Sequence, residues 1–282
     1  MAYAHNGDCE IFYETFGDST YPALLLVNGL GSQCITYREQ WIALFVAHGL
    51  YVIRFDNRDM GLSTKFDDAP TGAHGEAYLL ADMANDAIAV LDAAGISKAH
   101  VMGLSMGGMI VQTMAIEHPE RLLSMTSAMS TTGEAEFGRP SKKAIGLLTA
   151  PPATDRESAV ERHIAGLREW GSPEFADEAR WRADAERAFD RSFHPSGAGR
   201  QYMAVGASGS RADALRHVTV PTLVIHGDCD TLIDMSGGRR TAELIPGARF
   251  KLIEGMGHDY PPQLWDRWVE LVVNHVRGPR SG

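Results

Sequence analysis

The segment Ala23–Val27 reads ALLLV, an unbroken apolar run, and five more short β-rich runs follow it along the 282-residue chain. They lie at Tyr51–Phe55, Ala99–Leu104, Leu122–Ser127, Thr222–His226 and Ala248–Ile253. Short, predominantly apolar runs of this kind predict buried strands. Two alternating segments at the start, CEIFYETFG and the run into YPALLLVNG, predict an opening hairpin ahead of the first buried strand. Between the early strands the period changes. ITYREQWIALFVAHG ends at Gly49, and LLADMANDAIAVLDAAG ends at Gly95, both with apolar residues at helical spacing. In the second, Met83, Ala87, Val90 and Leu91 fall on one face. A third helix is predicted over Met106–His118, stopped by Pro119. Strands alternating with helices imply an α/β protein with a mostly parallel, doubly wound sheet.

The alternation breaks between about Met129 and His217, where PP, GSPEF and HPSGAG separate highly charged helical stretches such as ADEARWRADAERAFDRSF. The strand pattern resumes at VTVPTLVIHGD. Residues 1–128 and 218–282 are therefore expected to form one core, interrupted by a helical insertion at 129–217. The insertion is either a solvated decoration or a cap over a pocket. Its entry just after a strand's C-terminal end, where open α/β sheets bind ligands, favours the cap.

Composition narrows the classes. The formal charge is −10, and no Lys/Arg cluster stands out, which argues against nucleic-acid binding. No run approaches the roughly 18 to 20 apolar residues of a membrane span. The start, MAYAHNGDCEIFYETFG, carries neither a basic nor an apolar leader region, so no signal peptide is expected. Cys9, Cys34 and Cys229 are odd in number and far apart, which suits neither a disulfide framework nor a zinc site. A cytoplasmic enzyme acting on a small molecule, without metal or organic cofactor, is the resulting expectation. Oligomeric state is not legible.

One stretch spends glycine in a way that packing does not explain. VMGLSMGGMI places Gly103, Gly107 and Gly108 around Ser105, between a predicted strand and a predicted helix. A serine on so tight a corner has no room for Cβ atoms two residues to either side. Gly103 and Gly107 remove them, and Gly108 lets the helix lie close to the sheet. The hydroxyl is then held at the sheet edge, at the positive end of a helix. Ser105 is the candidate nucleophile.

A serine hydroxyl needs a base, and the base needs an orienting acid. In strand-turn-helix serine hydrolases the chain order is Ser, acid, His. Of eleven histidines, only His226, His258 and His275 follow Ser105 beyond the insertion. His226 ends a strand, and His275 sits in a terminal helical pattern, LWDRWVELVVNHV. His258, in the glycine-rich loop EGMGHDYPP, is the expected base. HGDCDTLID offers Asp228, Asp230 and Asp234 as the acid. Asp230 is preferred, because Asp228 is still leaving the strand. Backbone amides stabilise the oxyanion formed when serine attacks a carbonyl. Met106, at the helix start, and Leu30, in the turn VNGLGSQ, are the expected donors, with Gly29 and Gly31 freeing the local backbone.

Together these residues resemble the α/β-hydrolase fold superfamily over nearly the whole chain. The motifs that carry the resemblance are GLSMG, the NGLG turn, FDNRDMGLS, PTLVIHGDCD and GMGHDYP. The serine carboxylesterase and lipase-like branch is nearest in pattern, including mycobacterial lipase-like esterases and the anthracycline (aclacinomycin) methylesterases. The resemblance implies carboxylic ester hydrolysis. Haloalkane dehalogenases and epoxide hydrolases of this fold carry aspartate where Ser105 stands. A cofactor-free haloperoxidase (perhydrolase), a lactonase and a carbon–carbon bond hydrolase remain alternatives on the same triad. A non-hydrolytic ligand-binding protein or cyclase is the alternative outside it. Asn28 stands where relatives usually have histidine, and Asp59 where they have glycine. Arg58 and Ser63 are expected to brace the loop that follows the Tyr51–Phe55 strand.

Overall fold

The computed structural model describes residues 2–69 and 76–278. Eight strands form one sheet in the order β1-β2-β4-β3-β5-β6-β7-β8. They are β1 (Ala2–Asn6), β2 (Cys9–Phe16), β3 (Ala23–Val27), β4 (Tyr51–Phe55), β5 (Ala99–Leu104), β6 (Leu122–Ala128), β7 (Thr222–Gly227) and β8 (Arg249–Ile253). The first two pairings, β1 with β2 and β2 with β4, are antiparallel. Every later pairing is parallel. The chain passes through α1 (Glu39–Ala47), α2 (Leu80–Ala93) and α3 (Met106–Glu117) before β6. Between β6 and β7 come α4 (Lys142–Leu148), α5 (Arg156–Trp170), α6 (Glu178–Arg191), α7 (Pro195–Ser208) and the short α8 (Ala212–Leu215). The chain closes with α9 (Ser236–Leu244) and α10 (Trp265–Val276).

Two apolar layers explain why β3 is apolar throughout. Along β3, Ala23, Leu25 and Val27 point into one layer, with Met83 of α2, Ile110 of α3 and Leu244 of α9. Leu24 and Leu26 point into the other, with Trp41 and Phe45 of α1 and Trp268 of α10. Successive side chains alternate faces, so a strand covered on both sides has no polar position to spare. Met83, Ala87, Val90 and Leu91 are all fully buried, as the helical spacing predicts.

The opening hairpin differs from the sequence reading. Its first strand is AYAHN, turned by Gly7 at φ 60° into β2, and β2 then pairs with β4 rather than β3. Only Ala4 of β1 is buried, so this edge strand carries almost no hydrophobic signal. The first helix also begins later than ITYREQ suggests. Cys34–Thr36 forms a separate 3₁₀ turn, and α1 starts at Glu39.

The insertion is helical, as expected, and polar in character. Its own core is small: Val160, Ile164, Trp181 and Ala185 lie between α5 and α6. Among the described residues, no helix is long and apolar enough to cross a membrane.

Candidate active site

Ser105 stands between β5 and α3 at φ 57° and ψ −120°. Side-chain-bearing residues avoid positive φ, and among the described residues Asp59, Ser105 and Met129 alone adopt it without being glycine. The surrounding contacts over-determine the strain. Ser105 N–H donates to the Ala128 carbonyl at 2.9 Å, and the Ser105 carbonyl accepts from the amides of Gly108 and Met109. A Cβ on Gly103 would lie 2.0 Å from the Gly107 carbonyl oxygen. One on Gly107 would lie 2.1 Å from that of Val27, and one on Gly108 2.5 Å from Ser130 Cβ. The corner exists because those three atoms are missing.

Strands β3 to β8 run parallel, so the loops after them share the C-terminal edge of the sheet. Leu30 follows β3, Ser105 follows β5, Asp230 follows β7 and His258 follows β8. Asp230 Oδ2 accepts from His258 Nδ1 at 2.7 Å. Its Oδ1 accepts from the amides of Leu232 and Ile233 at 2.9 and 2.8 Å, a local turn in which the aspartate orders its own loop. Burial pushes the Asp230 carboxyl up. The facing His258 imidazole and the hydrogen bonds from His226 and His258 outweigh it and hold the group at about 2. The remaining carboxylates are occupied elsewhere. Asp228 accepts from the Gly255 amide at 2.7 Å, and Asp234 from the Ser236 amide at 2.9 Å.

The other two late histidines are buried and do different work. His275 accepts from Arg249 at Nδ1 and contacts the Met125 carbonyl through Nε2, which is helix packing. His226 Nε2 lies 2.8 Å from the Ile233 carbonyl and 3.4 Å from Asp230 Oδ2. A carbonyl only accepts, so Nε2 carries the proton and supports the acid from behind. Ser105 and His258 are both half-buried and are not directly hydrogen-bonded to each other.

Leu30 sits in a turn closed by a hydrogen bond from Ser32 N–H to the Gly29 carbonyl, with Gly31 at φ 71°. The turn runs beside the serine: a Cβ on Gly29 would be 3.3 Å from Ser105 Cβ. Met106 opens α3, so its amide has no partner within the helix. Neither amide donates to another backbone carbonyl among the described residues.

The loop after β4 braces this turn. Arg58 pairs with buried Asp86 through two bonds of 2.6 and 2.7 Å. Ser63 Oγ donates to the Asp56 carbonyl and accepts from the Phe12 amide. Both are structural, as the sequence reading assigned them. Asn28 fills the place usual for histidine by donating to the Phe55 carbonyl and accepting from Thr36. Asp59 binds Arg200 of α7 through two bonds of 2.8 Å and accepts from Tyr78 Oη and the Phe66 amide. Burial pushes the Asp59 carboxyl up, and these bonds more than reverse it, leaving it below the usual carboxylate range.

The insertion also grips the loop that carries His258, a contact that little in the chain announces. His258 N–H donates to the Trp170 carbonyl at 2.5 Å, and Gly257 N–H to Ser172 Oγ at 3.0 Å. The Ser172 amide and hydroxyl both donate to Asp259. A Cβ on Gly257 would lie 2.3 Å from the Trp170 carbonyl oxygen, so Gly257 was the one visible signal of this contact.

With this geometry in view, three likenesses are informative. The chain is 31% identical to rhodomycin D methylesterase DauP of Streptomyces sp. strain C5, over 95% of both chains. It is 29% identical to a putative carbamate hydrolase, RutD, of Azorhizobium caulinodans, over 97% of both. A solved structure described as Est816, an N-acyl homoserine lactone degrading enzyme, superposes with a TM-score of 0.75 at 25% identity, covering 96% of this chain and 98% of its own. The alpha/beta hydrolase fold family matches residues 22–261. The strand order, the serine corner and these matches agree: the chain belongs to the α/β-hydrolase fold family and is a hydrolase.

Proposed function

We propose that the protein cleaves carboxylic esters through a Ser105–His258–Asp230 triad and an acyl-enzyme. The observation that carries this reading is the Asp230–His258 hydrogen bond on the same sheet edge as a serine held at positive φ. Asp230 accepts the Nδ1 proton of His258, which leaves Nε2 as the basic nitrogen. His258 takes the Ser105 proton as Oγ adds to the ester carbonyl, and the Leu30 and Met106 amides receive the negative charge forming on its oxygen. The tetrahedral adduct expels the alcohol, which takes its proton from His258. Water then loses a proton to the same imidazole, attacks the acyl-enzyme and releases the acid, restoring Ser105. In apoproteins of this kind the serine–histidine bond commonly tightens only when substrate is bound.

The helical insertion acts as the cap over this edge. The likeness to a methylesterase favours a methyl ester of a bulky acid as the substrate class. The three cysteines are free and fit a cytoplasmic enzyme. Ser105→Ala is expected to abolish turnover of p-nitrophenyl and methyl esters while leaving the thermal midpoint near wild type. Ester hydrolysis surviving in that variant rejects the nucleophile. Equal rates with and without peroxide and acetate reject the perhydrolase alternative, and a panel of lactones beside open esters ranks the lactonase one.

A further inference from the structure

Gln201 of α7 has no exposed surface, yet its two polar ends serve two different loops of the core. Its Oε1 accepts from the Gly31 amide at 2.9 Å, and its Nε2 donates to the Arg58 carbonyl at 2.9 Å. An amide nitrogen only donates and a carbonyl only accepts, so the orientation of the side chain follows from its partners. Both ends are satisfied, and both would be orphaned in the interior without it. The neighbouring residues seat α7 on the same loops. Arg200 holds Asp59, a Cβ on Gly197 would lie 2.3 Å from the Asp59 carbonyl oxygen, and one on Gly31 would lie 3.5 Å from Ala198 Cβ.

The Gly31 contact bears on catalysis because of the turn it enters. Residues Gly29 to Ser32 close a turn with Gly31 at positive φ, and Leu30 does not share that region, which makes it a type II turn. In such a turn the peptide between the second and third residues is flipped relative to type I, and the amide of the third residue reports the flip. That amide is Gly31 N–H, the one Gln201 binds. Leu30 lies between two glycines, so little in the turn itself resists reorientation. We propose that Gln201 is a positioning residue for the oxyanion turn: by tying the Gly31 amide to the Arg58 carbonyl it fixes where the whole turn stands against the Ser105 corner, and with it the preceding Gly29–Leu30 peptide, whose N–H would face the reacting carbonyl oxygen. The insertion thereby contributes to transition-state binding without touching substrate. This rests on the ester mechanism above.

Gln201→Met keeps the length and removes both bonds. With a p-nitrophenyl ester, kcat is expected to fall at least about tenfold with KM within about twofold, part of the loss seen when an oxyanion donor is removed outright. Affinity for a trifluoromethyl ketone, which forms the tetrahedral oxyanion, should fall by the same factor, while affinity for the product acid stays. An unchanged kcat, or equal weakening of ketone and acid, overturns the proposal. If that variant does not fold, Gln201→Glu decides. A protonated Glu both donates to Arg58 and accepts from Gly31, so its rate relative to wild type should approach one at low pH and decline as the carboxyl ionises. A ratio that is low at every pH overturns the proposal. Wild-type protein without Ser105-dependent ester turnover sinks the ester reading and this proposal together. Active wild type with an unaffected Gln201→Met sinks the proposal alone.

Discussion

The sheet and the insertion are held together by different forces. Around the sheet, large aromatic side chains interlock: Trp41 and Trp268, both with no exposed surface, pack edge-on at 6.0 Å, and Trp41 stacks on the half-buried Tyr260 at 4.8 Å. The α5–α6 hairpin instead has four buried apolar side chains and a shell of exposed ion pairs, among them Arg156–Glu186, Arg168–Glu178 and Arg182–Glu161. Non-directional burial makes the sheet tolerant in detail and strong in sum. The insertion meets the core partly through apolar packing of Ala204, Ala212 and Leu215 and partly through directional contacts, several of which land on the loops that carry the candidate residues. Trp170 and Ser172 meet the loop of His258, Arg200 meets Asp59 in the loop after β4, and Gln201 meets both that loop and the turn at Gly29–Ser32. A part of the molecule with little core of its own is therefore the part that touches loops on both sides of the candidate site.

Substitutions should separate the two regimes. The largest stability loss is expected from Trp268→Ala, about 3 to 5 kcal/mol in chemical denaturation, because a fully buried indole leaves a cavity between α10 and α1. A loss under about 1 kcal/mol would show that the apolar layer is not the main support. Arg200→Met comes next. It strands the buried Asp59 carboxylate, at a cost of roughly 3 kcal/mol, the low end for a broken buried pair, because Tyr78 and the Phe66 amide still hold the group. The pH dependence sharpens this. Asp59 is held below the usual carboxylate range, so its contribution is complete above about pH 4 and is lost as the pH falls through its lowered folded value. The wild-type acid limb should accordingly be steeper than that of Arg200→Met, and parallel limbs would contradict the assignment. The smallest effect is expected for Arg182→Ala, whose partners Glu157 and Glu161 are exposed. Its thermal midpoint should match wild type, as is common for exposed pairs. A clear drop would mean that the charged shell supports the insertion after all.

How much was legible beforehand follows the same division. ALLLV, YVIRF and AHVMGL announce central strands because covering both faces favours apolar side chains at nearly every position, and GLSMG announces a sharp corner because side chains would collide there. Asp230 and His258 were proposed from chain order and loop placement, and the structure joins the two by a hydrogen bond. β1 was not legible, since an edge strand with one buried residue has no hydrophobic signature. Nor were the partners of Asp59 and Gln201. Their bonds cross separations of 141 and 170 residues, and nothing local marks a glutamine in a polar helix as buried.

Local rules thus settle whatever depends on neighbours along the chain: strand period, helix stops, and the glycines that a tight corner demands. They pointed to the candidate reacting groups because each sits at the end of an element whose type its own neighbours dictate. Where those groups meet, which histidine backs the acid, and which insertion residues clasp the turn and the base loop depend on chain segments brought together only by folding. Hydrogen bonds act at about 3 Å in space, whatever the distance in sequence, so those partnerships became readable only in three dimensions.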